Sequence, residues 1–228
     1  MFIGYFIFGI VALVSWLISQ RLQSKFEKYS RIPVPRGMTG KDVAQKMLRD
    51  NGIYDVQVIS TNGHLTDHYN PATKTVNLSE NVYSSCSVAA AAVAAHECGH
   101  AIQHADAYAP LTLRSKLVPV VSFASNWVQW ILLAGILLIK VFPELMLGGI
   151  ILFAMTTLFS FITLPVEINA STRALAWLNS AGITSYDTHE QAKDALKTAA
   201  YTYVVAALGS LATLVYYIMI FMGNNNRR

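Results

Sequence analysis

The stretch SVAAAAVAAHECGHAIQHA spans residues 87–105 and decides how the rest of the chain must be arranged. Alanine is the strongest helix former, so this alanine-rich run predicts an α-helix. Within it, His96, Glu97 and His100 form the pattern His-Glu-x-x-His. Residues four apart lie on the same face of a helix, so both imidazoles can bind one metal ion. The stretch therefore predicts a helix that supplies two ligands of a metal site.

Glu97 is placed to act as a general base beside that ion. It follows the first histidine, so its carboxylate can stand next to the open coordination position and take a proton from a bound water, whose pKa zinc lowers to about 7. The alternative is a helix that carries two ordinary histidines. The pattern lies in a helix-forming run just ahead of an apolar block, with a suitable third ligand later in the chain, so we favour a catalytic Zn²⁺ site.

The third ligand has to come from another part of the chain. His104 shares the helical face, but it would stand about 12 Å from His96 along an axis that rises about 1.5 Å per residue, so we expect it at the surface or beside a ligand. Glu167 is the better candidate, because two histidines and a glutamate form a standard catalytic zinc site with one open position. The alternative for Glu167 is a charge at the N-terminal end of a helix.

Small residues after Glu167 predict a helix that can approach the first one closely. Ala170, Ser171 and Ala174 lie on the same face of the helix predicted from Pro165 to Ser180. Asn169 or Ser171 could orient a histidine ligand by hydrogen bonding.

Two further groups of residues are open to a functional and a structural interpretation. His68 could polarise the oxyanion of a tetrahedral intermediate, or it could be a histidine bonded to its neighbours near a turn. Ser122, Asn126 and Gln129 form a polar stripe in an apolar block. Such groups usually join helices by hydrogen bonds, and a substrate path is the alternative.

Four blocks without a charged residue divide the chain, at residues 1–20, 117–139, 145–166 and 198–223. Each reaches the roughly 20 residues that a helix needs to cross a bilayer. A chain of 228 residues has no soluble core large enough to hide four such helices. No positive charge precedes the first block, which therefore predicts a retained anchor rather than a cleaved signal peptide.

The polar segments 21–116 and 167–197 are expected in the cytoplasm. They hold 14 of the 17 lysine and arginine residues, against Lys140, Arg227 and Arg228 on the other side, and positive loops face inward. The last two arginines conflict with this count. The predicted location is the cell membrane, with several spans and a cytoplasmic catalytic domain.

The first polar segment predicts a helix followed by a small antiparallel sheet. Thr39 can cap a helix over 42–50, with Asp42 completing a short capping box. Asn62-Gly63 is a strong turn signal. Three short segments have the character of strands, at 56–58, 65–69 and 74–78. A short helix over 189–198 leads into the last block.

The charge and cysteine contents exclude two other classes of protein. The net charge of +4 lies in the loops, with no basic face and interleaved aromatic residues, so we expect no nucleic-acid partner. Cys86 and Cys98 form neither a disulfide framework nor a CxxC pair, which fits a reducing compartment. Cys98 faces away from the predicted ligands, so we expect it to pack in the core.

Several motifs resemble those of the bacterial membrane-embedded neutral zinc metallopeptidases of the YugP-like group. They are LTDHYNP at 65–71, LS at 78–79, AAHECGHAIQ at 94–103 and LPVE at 164–167. The resemblance covers nearly the whole chain, and the layout is also similar to that of the heat-shock membrane metallopeptidases and the CAAX prenyl endopeptidases. It implies a gluzincin-like site with Glu167 as third ligand. The chain departs from the family at Asn169, where an aspartate is expected.

Together these features predict an α+β membrane protein with four transmembrane helices and a split, zincin-like cytoplasmic domain. The expected activity is that of a membrane-integral zinc metalloendopeptidase. Its expected substrates are polypeptides, membrane proteins among them. The expected role is membrane protein quality control, and the lipid bilayer is expected to surround its transmembrane helices. An inactive zinc-stabilised scaffold would have no use for Glu97. A metal-handling membrane protein would need ionisable residues in its spans, and these spans have none.

Overall fold

The structure is a computed structural model that describes residues 2–63 and 65–225, so Arg227 and Arg228 lie outside the described residues. The described chain is mostly helical with one small sheet. Its elements are α1 (Phe2–Ser30), α2 (Gly40–Asp50), β1 (Gln57–Thr61), β2 (His68–Asn70), β3 (Thr75–Ser79), α3 (Glu80–Ser84), α4 (Val88–Ala105), α5 (Ala109–Leu138), α6 (Pro143–Ser180) and α7 (Tyr186–Asn225).

The chain forms two compact units. The first is the described part of Met1–Leu17, Thr112–Pro165 and Thr202–Arg228, and the second is formed by Ile18–Leu111 and Val166–Tyr201.

Four helices are long and apolar enough to cross a membrane, as the sequence predicts. They include Phe6–Ser30, Ala109–Leu137, Pro143–Ser180 and Tyr186–Gly223. Large apolar side chains on α5 are exposed, such as Trp130 at 67%. Exposed apolar surface of this extent suits lipid rather than water. The polar stripe formed by Ser122, Asn126 and Gln129 is also exposed on α5.

Four helices run further than the sequence predicts, and one of them, α5, begins at Ala109 instead of at residue 117. The helix expected to start at Pro165 is the second part of α6, and the helix expected over 189–198 is the beginning of α7. Pro165 lies inside α6. An interior proline removes one N–H donor and clashes with the carbonyl one turn earlier, at a cost of about 3 kcal/mol, but membrane-spanning helices tolerate it. Similarly, α1 continues past the predicted boundary to Ser30, because residues 21–30 contain no glycine or proline.

The sheet is mixed, so the prediction of an antiparallel sheet is wrong for one of the two pairs of neighbouring strands. The strand order is β1-β3-β2, with β1 parallel to β3 and β2 antiparallel to β3. Asn62-Gly63 signals a hairpin, but β2 begins only at His68 and does not pair with β1. The central position belongs to β3, because its Val76 and Leu78 are fully buried. A local turn signal cannot specify that pairing.

The core of the second unit holds α2 against α4. The capping box predicted at Thr39 and Asp42 is present at the start of α2. Met47 of α2 is fully buried, as are Ala92 and Ala95 of α4. The alanines allow a close approach, and each buried large side chain contributes about 1.5–3 kcal/mol to the free energy of unfolding. This packing gives α4 a rigid support.

Candidate metal centre

Three side chains of the second unit converge on one point. His96, His100 and Glu167 each offer one ligand atom, and these atoms all lie within 4.8 Å of one another. His96 Nε2 is 3.2 Å from Glu167 Oε2, and His100 Nε2 is 3.5 Å from the same oxygen. Glu167 is 3% exposed and His100 is 9% exposed. The structure thus brings together the three residues that the sequence selects as ligands.

Glu167 lies in the interior of α6, which begins at Pro143. A charge stabilises a helix N-terminus only within the first turn, so the alternative role of Glu167 as a helix-end charge is wrong. Its carboxylate is instead the shared neighbour of both histidine rings.

Gly99 allows α4 and the second part of α6 to approach each other within this unit. A Cβ added at Gly99 would lie 2.6 Å from the carbonyl oxygen of Ala170. Any larger residue would push the two backbones apart, because the obstacle is main chain rather than a flexible side chain. Ala170 and Ala174 are fully buried, as their small size predicts. The need for glycine between the two histidines was missed, although an isolated glycine inside a helical pattern is a signal of close packing.

Each histidine is held through its second ring nitrogen. Ser171 Oγ lies 3.0 Å from His96 Nδ1, and Gln103 Oε1 lies 3.0 Å from His100 Nδ1. The sequence names Ser171 or Asn169 as the orienting residue. Ser171 contacts a histidine, whereas Asn169 accepts hydrogen bonds from Gln103 and Arg173. Gln103 was missed as an orienting residue, although it ends the motif at 94–103 and follows His100 by three residues.

The carboxylate of Glu97 is fixed by the sheet. Glu97 is 8% exposed, and its Oε2 accepts a hydrogen bond of 3.0 Å from the backbone N–H of Tyr69 in β2. The segment before β2 is fastened by Asp67, whose Oδ1 accepts from the backbone N–H of Ser79 at 2.7 Å. The motif around residues 65–71 therefore supports the orientation of Glu97 through the backbone.

The other two histidines considered from the sequence lie at the surface. His68 is exposed, and its Nδ1 is 2.8 Å from the carbonyl oxygen of Thr66. This contact agrees with the structural interpretation, in which His68 bonds to its neighbours near a turn. The role of His68 at an oxyanion stays a prediction. His104 is exposed, and its Nδ1 lies 3.2 Å from the hydroxyl of Tyr69.

The surroundings of His100 favour positive charge. Burial alone would lower its pKa, but the hydrogen bond to Glu167 and the negative charges of Glu97 and Glu167 outweigh burial, so the pKa of His100 is raised. A divalent cation supplies positive charge at the same place. The Cys98 thiol is fully buried, and burial followed by the charge of Glu97 raises its pKa well above the usual value. The thiol therefore packs in the core in its protonated form.

The chemistry of the three converging groups fits zinc. Two imidazole nitrogens and one carboxylate oxygen are ligands that zinc accepts, and three protein ligands leave one position open. Both histidines also have the supporting hydrogen bonds that fix imidazole orientation in metal sites. The donor set and its supports are thus suited to a catalytic metal ion.

Comparisons with known proteins agree with this chemistry. The sequence profile of the family described as "Putative neutral zinc metallopeptidase" matches residues 4–222. The chain is 43% identical over 223 residues to the "Putative membrane protease YugP" of Bacillus subtilis (strain 168). The matched region covers 97% of this chain and 98% of that protein. No solved structure matches the chain.

Proposed function

The chain belongs to this family of neutral zinc metallopeptidases, and from that premise we propose that it is a membrane-integral zinc endopeptidase. His96, His100 and Glu167 are its zinc ligands, and Glu97 is its general base. One observation carries the proposal: one ring nitrogen of each histidine and a carboxylate oxygen of Glu167 lie within 4.8 Å of one another. The histidines are on α4, which also carries Glu97, and Glu167 is on α6.

The fixed orientation of Glu97 supports its role in proton transfer. Bound zinc would polarise the peptide carbonyl and lower the pKa of a coordinated water to about 7. The N–H of Tyr69 holds Oε2 of Glu97, which leaves Oε1 as the oxygen that accepts the proton and passes it to the leaving amine. A zinc-stabilised scaffold would not need a buried and oriented carboxylate beside its ligands.

We expect about one zinc ion per chain, and we expect His96→Ala and His100→Ala to lose it. Each change removes one of three donors, and two donors hold zinc far more weakly. Elemental analysis of the detergent-purified protein measures this directly. His189→Ala is the matched control, because His189 lies in the same unit and its Nδ1 contacts Thr184 Oγ1 at 3.3 Å. Intact zinc content in both ligand variants would contradict the assignment.

The second unit is proposed to be a zincin-like domain in the cytoplasm, close to the bilayer. Polypeptides are the proposed substrates, with membrane proteins among them, and the proposed role is membrane protein quality control. Support comes from the presence of the candidate zinc site in the same chain as four helices able to cross a membrane.

The orientation gives a second prediction. Cysteines placed at Lys46 and Lys74, in a Cys86→Ser background, should resist an impermeant thiol reagent in intact cells and react once the cells are opened. Val141 is 83% exposed between α5 and α6, so a cysteine there should react in intact cells and serves as the control. The reverse labelling pattern would show that the catalytic residues face outward.

A further inference from the structure

Gln103 is a fully buried polar residue for which the reaction itself has no direct use. It lies on α4, one turn beyond His100, and its relative exposure is 0%. All of its amide group is engaged. Oε1 lies 3.0 Å from His100 Nδ1, and Nε2 donates to the carbonyl oxygen of Val166 at 2.8 Å and to Asn169 Oδ1 at 2.9 Å. A buried amide that is satisfied in this way is rigid.

The positions of the oxygen and nitrogen in the Gln103 amide follow from neighbouring groups that can only donate or only accept hydrogen bonds. Arg173 has only donors, and its Nε lies 2.9 Å from Asn169, so the oxygen of Asn169 must face it. The same oxygen and the Val166 carbonyl are both acceptors. Gln103 must therefore turn its NH₂ group toward them. Asp106 fixes the arginine in turn, through an ion pair with its Nη1.

The consequence for His100 is a fixed tautomer. Because the NH₂ group of Gln103 is committed, its oxygen faces His100, and an amide oxygen can only accept. The hydrogen of the neutral imidazole must then be on Nδ1. Nε2 is left with its lone pair, and Nε2 is the atom that lies 3.5 Å from Glu167 Oε2 in the candidate metal centre.

We propose that Gln103 is a positioning residue that, through Asn169 and Arg173, holds His100 in the tautomer whose Nε2 binds the metal. This inference rests on the proposed function. It also accounts for the departure at Asn169. Residue 169 acts on Gln103 and not on a histidine, so the site needs an acceptor oxygen there, which an amide supplies as well as a carboxylate does.

The test compares Gln103→Met with Gln103→Glu in the full-length protein. Methionine has a similar size and removes the acceptor, so we expect the dissociation constant for zinc to rise by roughly 10–100-fold. Glutamate keeps an acceptor for Nδ1, although it places a carboxylate against two carbonyl oxygens. Gln103→Glu should therefore melt at a lower temperature than Gln103→Met and yet bind zinc more tightly. If Gln103 had a purely structural role, the variant with the lower melting temperature would also bind zinc more weakly.

Two further measurements complete the experiment. In the zinc-free protein, at a pH at which His100 is neutral, the ¹⁵N chemical shifts of its ring should show the hydrogen on Nδ1 in the wild type and in Gln103→Glu, and a mixture of tautomers in Gln103→Met. Gln191→Met is the matched control, because the buried Oε1 of Gln191 has no hydrogen-bond partner among the described residues, and its zinc affinity should not change. If the glutamine variants do not fold, Asn169→Ala provides the same test with Gln103 in place, with an expected loss of roughly 10-fold or more in zinc affinity.

The outcomes separate this inference from the proposed function. Zinc binding by the wild type, together with equal affinity in Gln103→Met and in Asn169→Ala, would overturn the role of Gln103 alone. A neutral His100 that carries its hydrogen on Nε2 in the zinc-free wild type would do the same. A wild-type protein that binds no zinc would overturn the proposed function and this inference with it.

Discussion

Replacing Glu97 by glutamine is expected to leave zinc bound and to slow peptide cleavage by about 10²–10⁴-fold. Glutamine has the same shape, and its side-chain oxygen can still accept the hydrogen bond from the N–H of Tyr69 that holds Glu97. The amide cannot take up a proton at neutral pH. The chain therefore keeps its metal ligands and loses its base. Casein cleavage and zinc content, measured on the same detergent-purified sample, separate the two effects.

The control is Glu80→Gln, which changes an exposed glutamate in α3 of the same unit. It should cleave casein at the wild-type rate. If Glu97→Gln also cleaves at the wild-type rate, the base is another residue. If the wild-type protein binds zinc but cleaves no peptide, the scaffold interpretation gains support, because that function requires the metal without the proton transfer.

Glu167→Gln is expected to weaken zinc binding and abolish cleavage. Glu167 supplies the only negative charge among the three converging ligand atoms, and the amide brings none. If the carboxylate served only to pair with the two histidines, the variant would retain zinc, because an amide oxygen can still accept from an imidazole N–H. Titration of zinc against a chelator, together with the casein assay, distinguishes these possibilities.

Glu190→Gln is the control for this experiment. Glu190 lies in the same unit at the start of α7, is exposed and pairs with Lys193 at 3.2 Å. An exposed pair of this kind contributes at most about 1 kcal/mol to the free energy of unfolding, so zinc binding and cleavage should be unchanged. Loss of zinc from this variant, with zinc retained by Glu167→Gln, would make the third-ligand assignment wrong.

The features that the sequence predicts well are those decided by neighbours in the chain. The cap at Thr39, the alanine-rich helix and the facing of His96 and His100 all depend on residues within one or two turns. The four apolar helices are equally local, since length and composition define them. Glu167 can also be selected as a candidate ligand from the sequence, because few residues in the second polar segment can complete a zinc site.

The features that the sequence does not predict depend on contacts with residues from a distant segment of the chain. Gly99 looks like an ordinary helical glycine until the backbone of Ala170 lies against it. Gln103 looks like a polar surface residue until the Val166 carbonyl and Asn169 supply its partners. The parallel pairing of β1 with β3 is a contact across intervening chain that no turn signal describes. In each case, the role of a residue is decided by a contact that residue spacing does not encode.

The division of the ligands between α4 and α6 has a consequence for biosynthesis. Glu167 follows His96 by 71 residues, and a ribosome adds about 5–20 residues per second, so the carboxylate is made on the order of 4–14 s after the first histidine. During that interval the nascent chain holds His96, Glu97 and His100 without Glu167. On the proposed mechanism such a chain cannot cleave its own unfolded segments or nearby nascent proteins. On that mechanism, cleavage would become possible only after the segment that carries Glu167 has been synthesised.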